Sequence, residues 1–225
     1  MMRSLAGPLG MAVALTLGAT ARSEPVFVHG APRPQTTIPA PGQSQATAVF
    51  AGGCFWGVEG VFEHVKGVTS ATAGYAGGSV ASPSYEQVST GTTGHAESVR
   101  VTYDPSQVSY EQLLEVFFTV VHDPTQLNKQ GPDHGTQYRS IVFYGDSVQR
   151  RAVEAYVADL TKQKVFAKPI VTQIVPFTAF YEAEVYHQHY MARHPNALYI
   201  VYHDAPKVAN LQRVFPALYR EPIPE

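Results

Sequence analysis

The amino-acid sequence predicts an α+β fold with a mixed, largely antiparallel sheet flanked by helices. Short apolar or alternating stretches of strand length occur near 47–51, 68–75, 97–103, 139–144 and 170–175. Four further segments carry the 3.6-residue periodicity of amphipathic helices. The two kinds of segment do not alternate regularly, as a doubly wound parallel sheet would require, so helices set around a mixed sheet are favoured.

Taken in order, Thr47–Ala51 is a short apolar strand, broken at once by Gly52 and Gly53. A helix follows, in which Val58, Val61, Phe62 and Val65 keep the i, i+3, i+4, i+7 spacing of one buried face, while Glu59 and Glu63 lie off that stripe. Gly67 ends it. In the strand 97–103, Val99, Val101 and Tyr103 share one parity and Ser98, Arg100 and Thr102 the other, a half-buried alternation. Ser109 is placed to cap a second helix, with Gln112 reaching back to complete a capping box; Leu113, Leu114, Phe117 and Val121 line it, and Pro124 stops it. A third helix starts at Asp146 or Ser147 and runs to about Lys164. A fourth covers roughly Ala179 to Arg193, ahead of Pro195.

The 225 residues suit one large domain or two small ones, and 44% hydrophobic and 11% aromatic content is enough for a substantial core. A formal charge of -2, with 15% charged residues and no basic run, gives no electrostatic footprint for nucleic acid. Residues 1–21 read as an export signal: Arg3, a weakly apolar run through Leu15 and Leu17, then Ala19-Thr20-Ala21 before a cleavage point. Gly7, Pro8, Gly10 and Gly18 interrupt the segment and it falls short of a full span, which argues against an uncleaved membrane helix, and no stable membrane insertion is expected after signal removal. Residues 22–45 are rich in Pro and Thr without periodicity and read as a linker, leaving 46–219 as a single folded domain. The expected location is outside the cytosol, the periplasm in a Gram-negative cell.

The chain has one cysteine, Cys54, which excludes an intramolecular disulfide, a Cys-x-x-Cys pair and a cysteine-rich zinc site. Cys54 sits between a strand with its Gly pair and the first turn of a helix, where free amides and the helix dipole favour a thiolate. Phe55 and Trp56, the only tryptophan, stand beside it rather than on the apolar stripe. A lone cysteine is more often a small buried hydrophobe, but this strand-turn-helix context favours a reactive one. Glu97 has the parity of the apolar side. Buried there, its carboxyl would stay protonated near neutrality and suit a general acid; if parity fails at the strand end, it is simply solvated. The loop Gly131–Arg139 leads into an apolar strand and is open to two readings, a functional loop or a plain turn. Tyr85 is equally ambiguous among 13 tyrosines. His187 and His189, at i, i+2 on a predicted helix, point to different sides and do not make a zinc pair; they read as one packed and one exposed residue, and no metal is expected.

Several stretches in sequence order, Gly53-Cys54-Phe55-Trp56-Gly57, Gly74-Tyr75-Ala76-Gly77-Gly78, Tyr85-Glu86-Gln87-Val88, Thr93-Gly94-His95-Ala96-Glu97, His122-Asp123-Pro124-Thr125 and Asp133-His134-Gly135-Thr136-Gln137-Tyr138-Arg139-Ser140, resemble peptide methionine sulfoxide reductase A over about residues 46–210. The resemblance implies a ferredoxin-like core and reduction of the S epimer of methionine sulfoxide, free or in proteins, with no bound metal or organic cofactor. By position it implies Cys54 as nucleophile, Phe55 and Trp56 as a cage for the S-methyl group, and Glu97 as the acid. Tyr85 and Tyr138 would be donors to the sulfoxide oxygen, and Asp133 part of the polar wall. Many members carry resolving cysteines in a C-terminal tail; here that tail reads Leu198-Tyr199-Ile200-Val201-Tyr202-His203-Asp204, and a further cysteine position holds Ser89. The chain thus looks like the one-cysteine type, whose sulfenic acid is regenerated by an external thiol, a thioredoxin-like or glutaredoxin-like partner or a small thiol. Two other classes stay open: a cysteine hydrolase or transferase with His95 or His134 as base, and an exported module whose aromatic pocket binds methyl-bearing ligands.

Overall fold

A computed structural model describes residues 44–221. The signal read over 1–21 and nearly all of the linker lie outside the described residues. The fold runs β1 (Ala46–Ala51), α1 (Phe55–Glu63), β2 (Val68–Ala76), α2 (Tyr85–Ser89), β3 (Ala96–Tyr103), α3 (Tyr110–Val116), β4 (Lys129–Gln130), β5 (Asp133–His134), β6 (Ile141–Tyr144), α4 (Ser147–Lys162), β7 (Gln173–Pro176), β8 (Phe180–Glu182), α5 (Tyr190–Arg193) and α6 (Ala205–Val214). Six strands form one sheet in the order β7-β6-β1-β3-β2-β8. Every neighbouring pair is antiparallel except β6 with β7. The inner order β6-β1-β3-β2, with α1 joining β1 to β2 and α3 between β3 and β6, is the split β-α-β arrangement of a ferredoxin-like core.

Alternation along β1 divides the interior. Ala48 and Phe50 face the main core, while Val49 and Ala51 join a smaller cluster with Ala76, Ala96, Ile141 and Phe143 on the opposite face. On the main side Phe50 stacks on Phe62 of α1 at 5.2 Å and on Phe117 at 4.8 Å, so both crossover helices close over one strand residue. Each such fully buried aromatic contributes about 1.5–3 kcal/mol relative to exposure.

The capping box at Ser109 and Gln112 is present, and a second one at Ser84 and Gln87 starts α2, an element too short for periodicity to predict. Asp146 caps α4 through the amides of Val148 and Gln149. The second predicted helix does not stay α-helical to Val121: from Phe117 it widens into a π turn that buries all five residues. The largest correction concerns 179–193, predicted as one helix. Phe180–Glu182 instead adds strand β8 to the edge of β2, and the chain continues through a 3-10 turn at Val185–His187 to the short α5. Tertiary pairing overrides periodicity here, helped by Gly74 opposite: a Cβ on it would lie 2.4 Å from both the Phe180 ring and the Tyr181 carbonyl. Among the described residues no helix is long and apolar enough to cross a membrane.

Candidate active site

The thiol is placed by a sharp reversal after β1. Gly53 has φ +97°, and a Cβ there would sit 2.6 Å from Gln130, so the turn needs glycine on both counts. Cys54 then takes the N-cap position of α1 and is 8% exposed on the wall of a cavity of about 520 Å³. That wall also includes His122, Asp133, Tyr199, His203 and Lys207. The helix start alone predicts a thiolate, and the Trp56 amide does bond the sulfur. Burial, with Glu97 and Asp204 nearby, outweighs it and pushes the thiol well above its ordinary range, Lys207 giving only a partial offset. The resting group is therefore a thiol, a correction to the expectation from the dipole.

Glu97 enters the core from β3 opposite Tyr75, 2% exposed. Its Oε2 accepts the Phe55 amide at 3.1 Å, tying the acid to the first turn of the cysteine helix. Burial pushes its carboxyl up to about 8, with Asp133 and Asp204 adding to the rise, so it carries a proton at neutral pH. Tyr85 opens α2, its amide donating to Glu184 at 2.9 Å. Burial raises its hydroxyl's pKa, and the charges of Glu97, Cys54 and Asp133 act on it too. Tyr138 ends the 3-10 turn Thr136–Tyr138; burial raises it, and it feels Glu97, Asp133 and Cys54. Asp133, on β5, accepts a short hydrogen bond from the Tyr199 hydroxyl.

Phe55 is buried, its ring 5.9 Å from that of Tyr75. The half-buried Trp56 is held on three sides: Tyr190 stacks on it at 3.7 Å, Tyr199 meets it edge-on at 5.8 Å, and its Nε1–H donates to His187 Nδ1 at 3.1 Å. The structure thus gathers Cys54, Phe55, Trp56, Glu97, Tyr85, Tyr138 and Asp133 around one helix start. Of these, only Cys54 and Asp133 line the 520 Å³ cavity. Sequence reasoning missed Tyr199, Tyr190 and the fully buried Asp204, which pairs with Lys207 at 3.0 Å. Gly57 was the available signal for the last: a Cβ on it would lie 2.0 Å from Asp204 Oδ1.

The histidines named as bases are committed elsewhere. His95 Nδ1 accepts from the Gly78 amide and its Nε2 bonds the Val80 carbonyl at 2.7 Å; His134 is exposed on β5. The charges acting on Cys54 come from Glu97, Asp204 and Lys207. His187 is buried and His189 partly exposed, but not as helix neighbours. Glu59, expected off the buried stripe, is 1% exposed and accepts the amides of Ala73 and His189. With Glu63 and His189 it brings three ligand-type atoms within 4.8 Å of one another, a grouping hidden from the sequence because His189 lies 126 positions from Glu63.

Comparison with known proteins decides the family. The model of the family described as peptide methionine sulfoxide reductase matches residues 46–217. The chain belongs to the peptide methionine sulfoxide reductase A family. This reductase is 57% identical over 182 residues to peptide methionine sulfoxide reductase MsrA 2 of Mesorhizobium japonicum, covering 81% of this chain and 92% of the relative. It is 47% identical over 173 residues to the MsrA of Thermus thermophilus, covering 77% of this chain and 97% of that one. Among solved structures, reduced Mxr1 from Saccharomyces cerevisiae superposes with a TM-score of 0.65 at 34% identity, covering 72% of this chain and 92% of that one. Methionine sulfoxide reductase A of Corynebacterium diphtheriae gives 0.59 at 34% identity, covering 77% and 86%. The protein is an enzyme that reduces methionine sulfoxide.

Proposed function

We propose that the chain reduces the S epimer of methionine sulfoxide, free or within oxidised proteins, with Cys54 as the nucleophile and no bound cofactor. The carrying observation is the 3.1 Å bond between Glu97 and the Phe55 amide, which sets a protonated acid one residue from the thiol. The Cys54 sulfur attacks the sulfoxide sulfur while Glu97 protonates its oxygen, and Tyr85 and Tyr138 donate hydrogen bonds to the charge developing there. Glu97 recovers its proton from the thiol. The twice-protonated oxygen leaves the sulfoxide sulfur as water, which adds at the cysteine sulfur and breaks the transient S–S bond: the sulfoxide gains two electrons and becomes the thioether, Cys54 loses two and becomes a sulfenic acid, and the released proton returns to Glu97. Phe55 and Trp56 hold the S-methyl group, a role suited to apolar surfaces, and Asp133 completes the polar wall.

With no second cysteine in the chain, two external thiol equivalents regenerate Cys54, releasing water and a disulfide. A thioredoxin-like or glutaredoxin-like protein or a small thiol meets that need. The signal-like residues 1–21 support export, with the domain 46–219 working outside the cytosol, in the periplasm of a Gram-negative cell. The test is incubation with peptides bearing the separate S and R epimers plus dithiothreitol: methionine is expected from the S epimer. Equal turnover of both epimers, or none of the S, would refute the reading.

A further inference from the structure

His187 has no part in the chemistry above, yet its imidazole stands among the residues that perform it. Its ring is 5.0 Å from Phe55, 4.5 Å from Tyr85 and 5.8 Å from Trp56. It is 2% exposed. The Trp56 indole nitrogen can only donate, so the 3.1 Å contact makes Nδ1 an acceptor and puts the proton on Nε2. That Nε2 is buried and has no hydrogen-bond partner among the described residues.

The backbone around it does not need this side chain as an anchor. Gln188 already ties the segment to β2 through the Ala73 amide and carbonyl, Glu184 accepts from the Tyr75 hydroxyl and the Tyr85 amide, and the His189 amide reaches Glu59. A phenylalanine would fill the same space without the unpartnered Nε2–H, a cost that packing alone does not repay, but it would leave the Trp56 indole N–H without its acceptor. What an imidazole adds is a fixed acceptor for the one indole in the chain, on a ring wedged against Phe55 and Tyr85.

We propose that His187 is a positioning residue for sulfoxide reduction: as the Nε2–H tautomer it fixes the Trp56 indole through Nδ1 and sets Phe55 and Tyr85 at the angles the reaction needs. It is distinct from the acid and from the nucleophile, and it acts through the aromatic walls. The loss of helix over 179–193 follows the same logic, since the 3-10 turn delivers His187 to one side of Trp56 and α5 delivers Tyr190 to its face. The proposal rests on the assignment of Phe55 and Trp56 as the substrate cage.

The test compares the full chain with His187→Phe, which keeps the ring without its nitrogens, and His187→Asn, whose side-chain oxygen can accept from Trp56. Thermal melts establish that each variant folds. Kinetics on an S-sulfoxide peptide with dithiothreitol and the emission of the single tryptophan are then read together. Misplacing the walls by a fraction of an ångström to an ångström is expected to lower kcat/KM of His187→Phe by about 10- to 100-fold, with Trp56 emission shifted to shorter wavelength as the indole loses its acceptor. His187→Asn is expected to recover at least part of both. A His187→Phe enzyme within about twofold of the parent, or an asparagine variant no better than the phenylalanine one, would overturn the positioning role. A Trp56→Leu variant separates the two readings: if it retains the parent's kcat/KM, the cage assignment itself fails, whereas unchanged Trp56 emission in His187→Phe refutes only the hydrogen bond assigned to His187.

Discussion

At Cys54 the free amides of a helix start and the Lys207 ammonium pull toward a thiolate, while burial and two acidic neighbours pull toward a thiol, and burial wins. Burial acts on Glu97 in the same sense: it keeps the carboxyl protonated up to about pH 8. The two groups thus rest as a thiol and an acid in contact with one helix turn, a pair that can exchange a proton through the substrate oxygen without leaving a bare charge in the core. Replacing Cys54 by Ser should abolish turnover. Glu97→Gln preserves shape and loses the proton, so kcat should fall by ~10²-fold or more, the usual worth of a positioned acid; a rate equal to the parent's would remove Glu97 from the mechanism. Stability carries the same signature. Glu97 has a folded pKa near 8 against an ordinary 4.5, so the folded chain binds the proton more tightly than the unfolded one between those values. Its contribution is complete below about pH 4.5 and is lost as pH rises toward 8, at up to about 1.4 kcal/mol per pH unit, or ~3–6 °C in melting temperature for a chain of this size. Glu97→Gln should flatten that part of the melting profile, and Glu59, also pushed up to about 8 by burial and by Glu63, should leave a residual slope. A variant with the parent's full slope would show that Glu97 ionises freely in the fold.

Among the elements, α1 shows what sequence periodicity can and cannot reveal. The stripe Val58, Val61, Phe62 and Val65 is buried as its spacing predicts, but so are Glu59 and Gly60 on the remaining faces. The helix is enclosed because chain from beyond residue 185 wraps it, and no window around residues 55–63 records that. Gly57 marks the closest approach: a Cβ added there would stand 2.0 Å from the Asp204 carboxylate and 2.8 Å from the Lys207 ammonium. Gly57→Ala should force the ion pair off the helix and destabilise the fold by about 1–3 kcal/mol, the range for overpacking, despite the better helix propensity of alanine. A melting temperature at or above the parent's would mean that Asp204 can swing away at little cost. The capping boxes give the opposite lesson. Ser109 and Gln112 satisfy each other's backbone within four residues, so the signal is local and legible, and Ser109→Ala should cost about 1 kcal/mol in chemical denaturation without affecting turnover. The segment 179–193 defies its own periodicity because its fate is set by the free edge of β2 and by Trp56, more than a hundred positions away.

Across the described residues most element types are legible, with α2 and the segment 179–193 as exceptions, and the strand order is not. Strand β3 follows from alternation and β1 and β6 from short apolar runs, but the placement of β3 between β1 and β2 depends on pairings between distant strands that neither pattern encodes. The site was legible to the extent that its residues fall in short contiguous motifs; Tyr199, Tyr190 and His187, brought in by the C-terminal third, were not. That third also holds Leu198–Asp204, where the π turn Ile200–Asp204 supplies Asp204 to α1 and contains no thiol. On the proposed mechanism the chain therefore supplies its two electrons from one place only, its single thiol. In the proposed cycle each reduction leaves one oxygen on Cys54, and the chain has no second thiol to displace it. Mixed with excess S-sulfoxide and no thiol, the enzyme should release one methionine per chain and stop, with a sulfenic acid on Cys54 that a sulfenic-specific nucleophile traps in equal amount. Added dithiothreitol should restart steady turnover, consuming one dithiol per methionine, because two thiol hydrogens are needed to release the oxygen as water. Continued methionine release without thiol would require an electron source outside Cys54, and a burst of two per chain would require a second thiol, which the sequence does not contain.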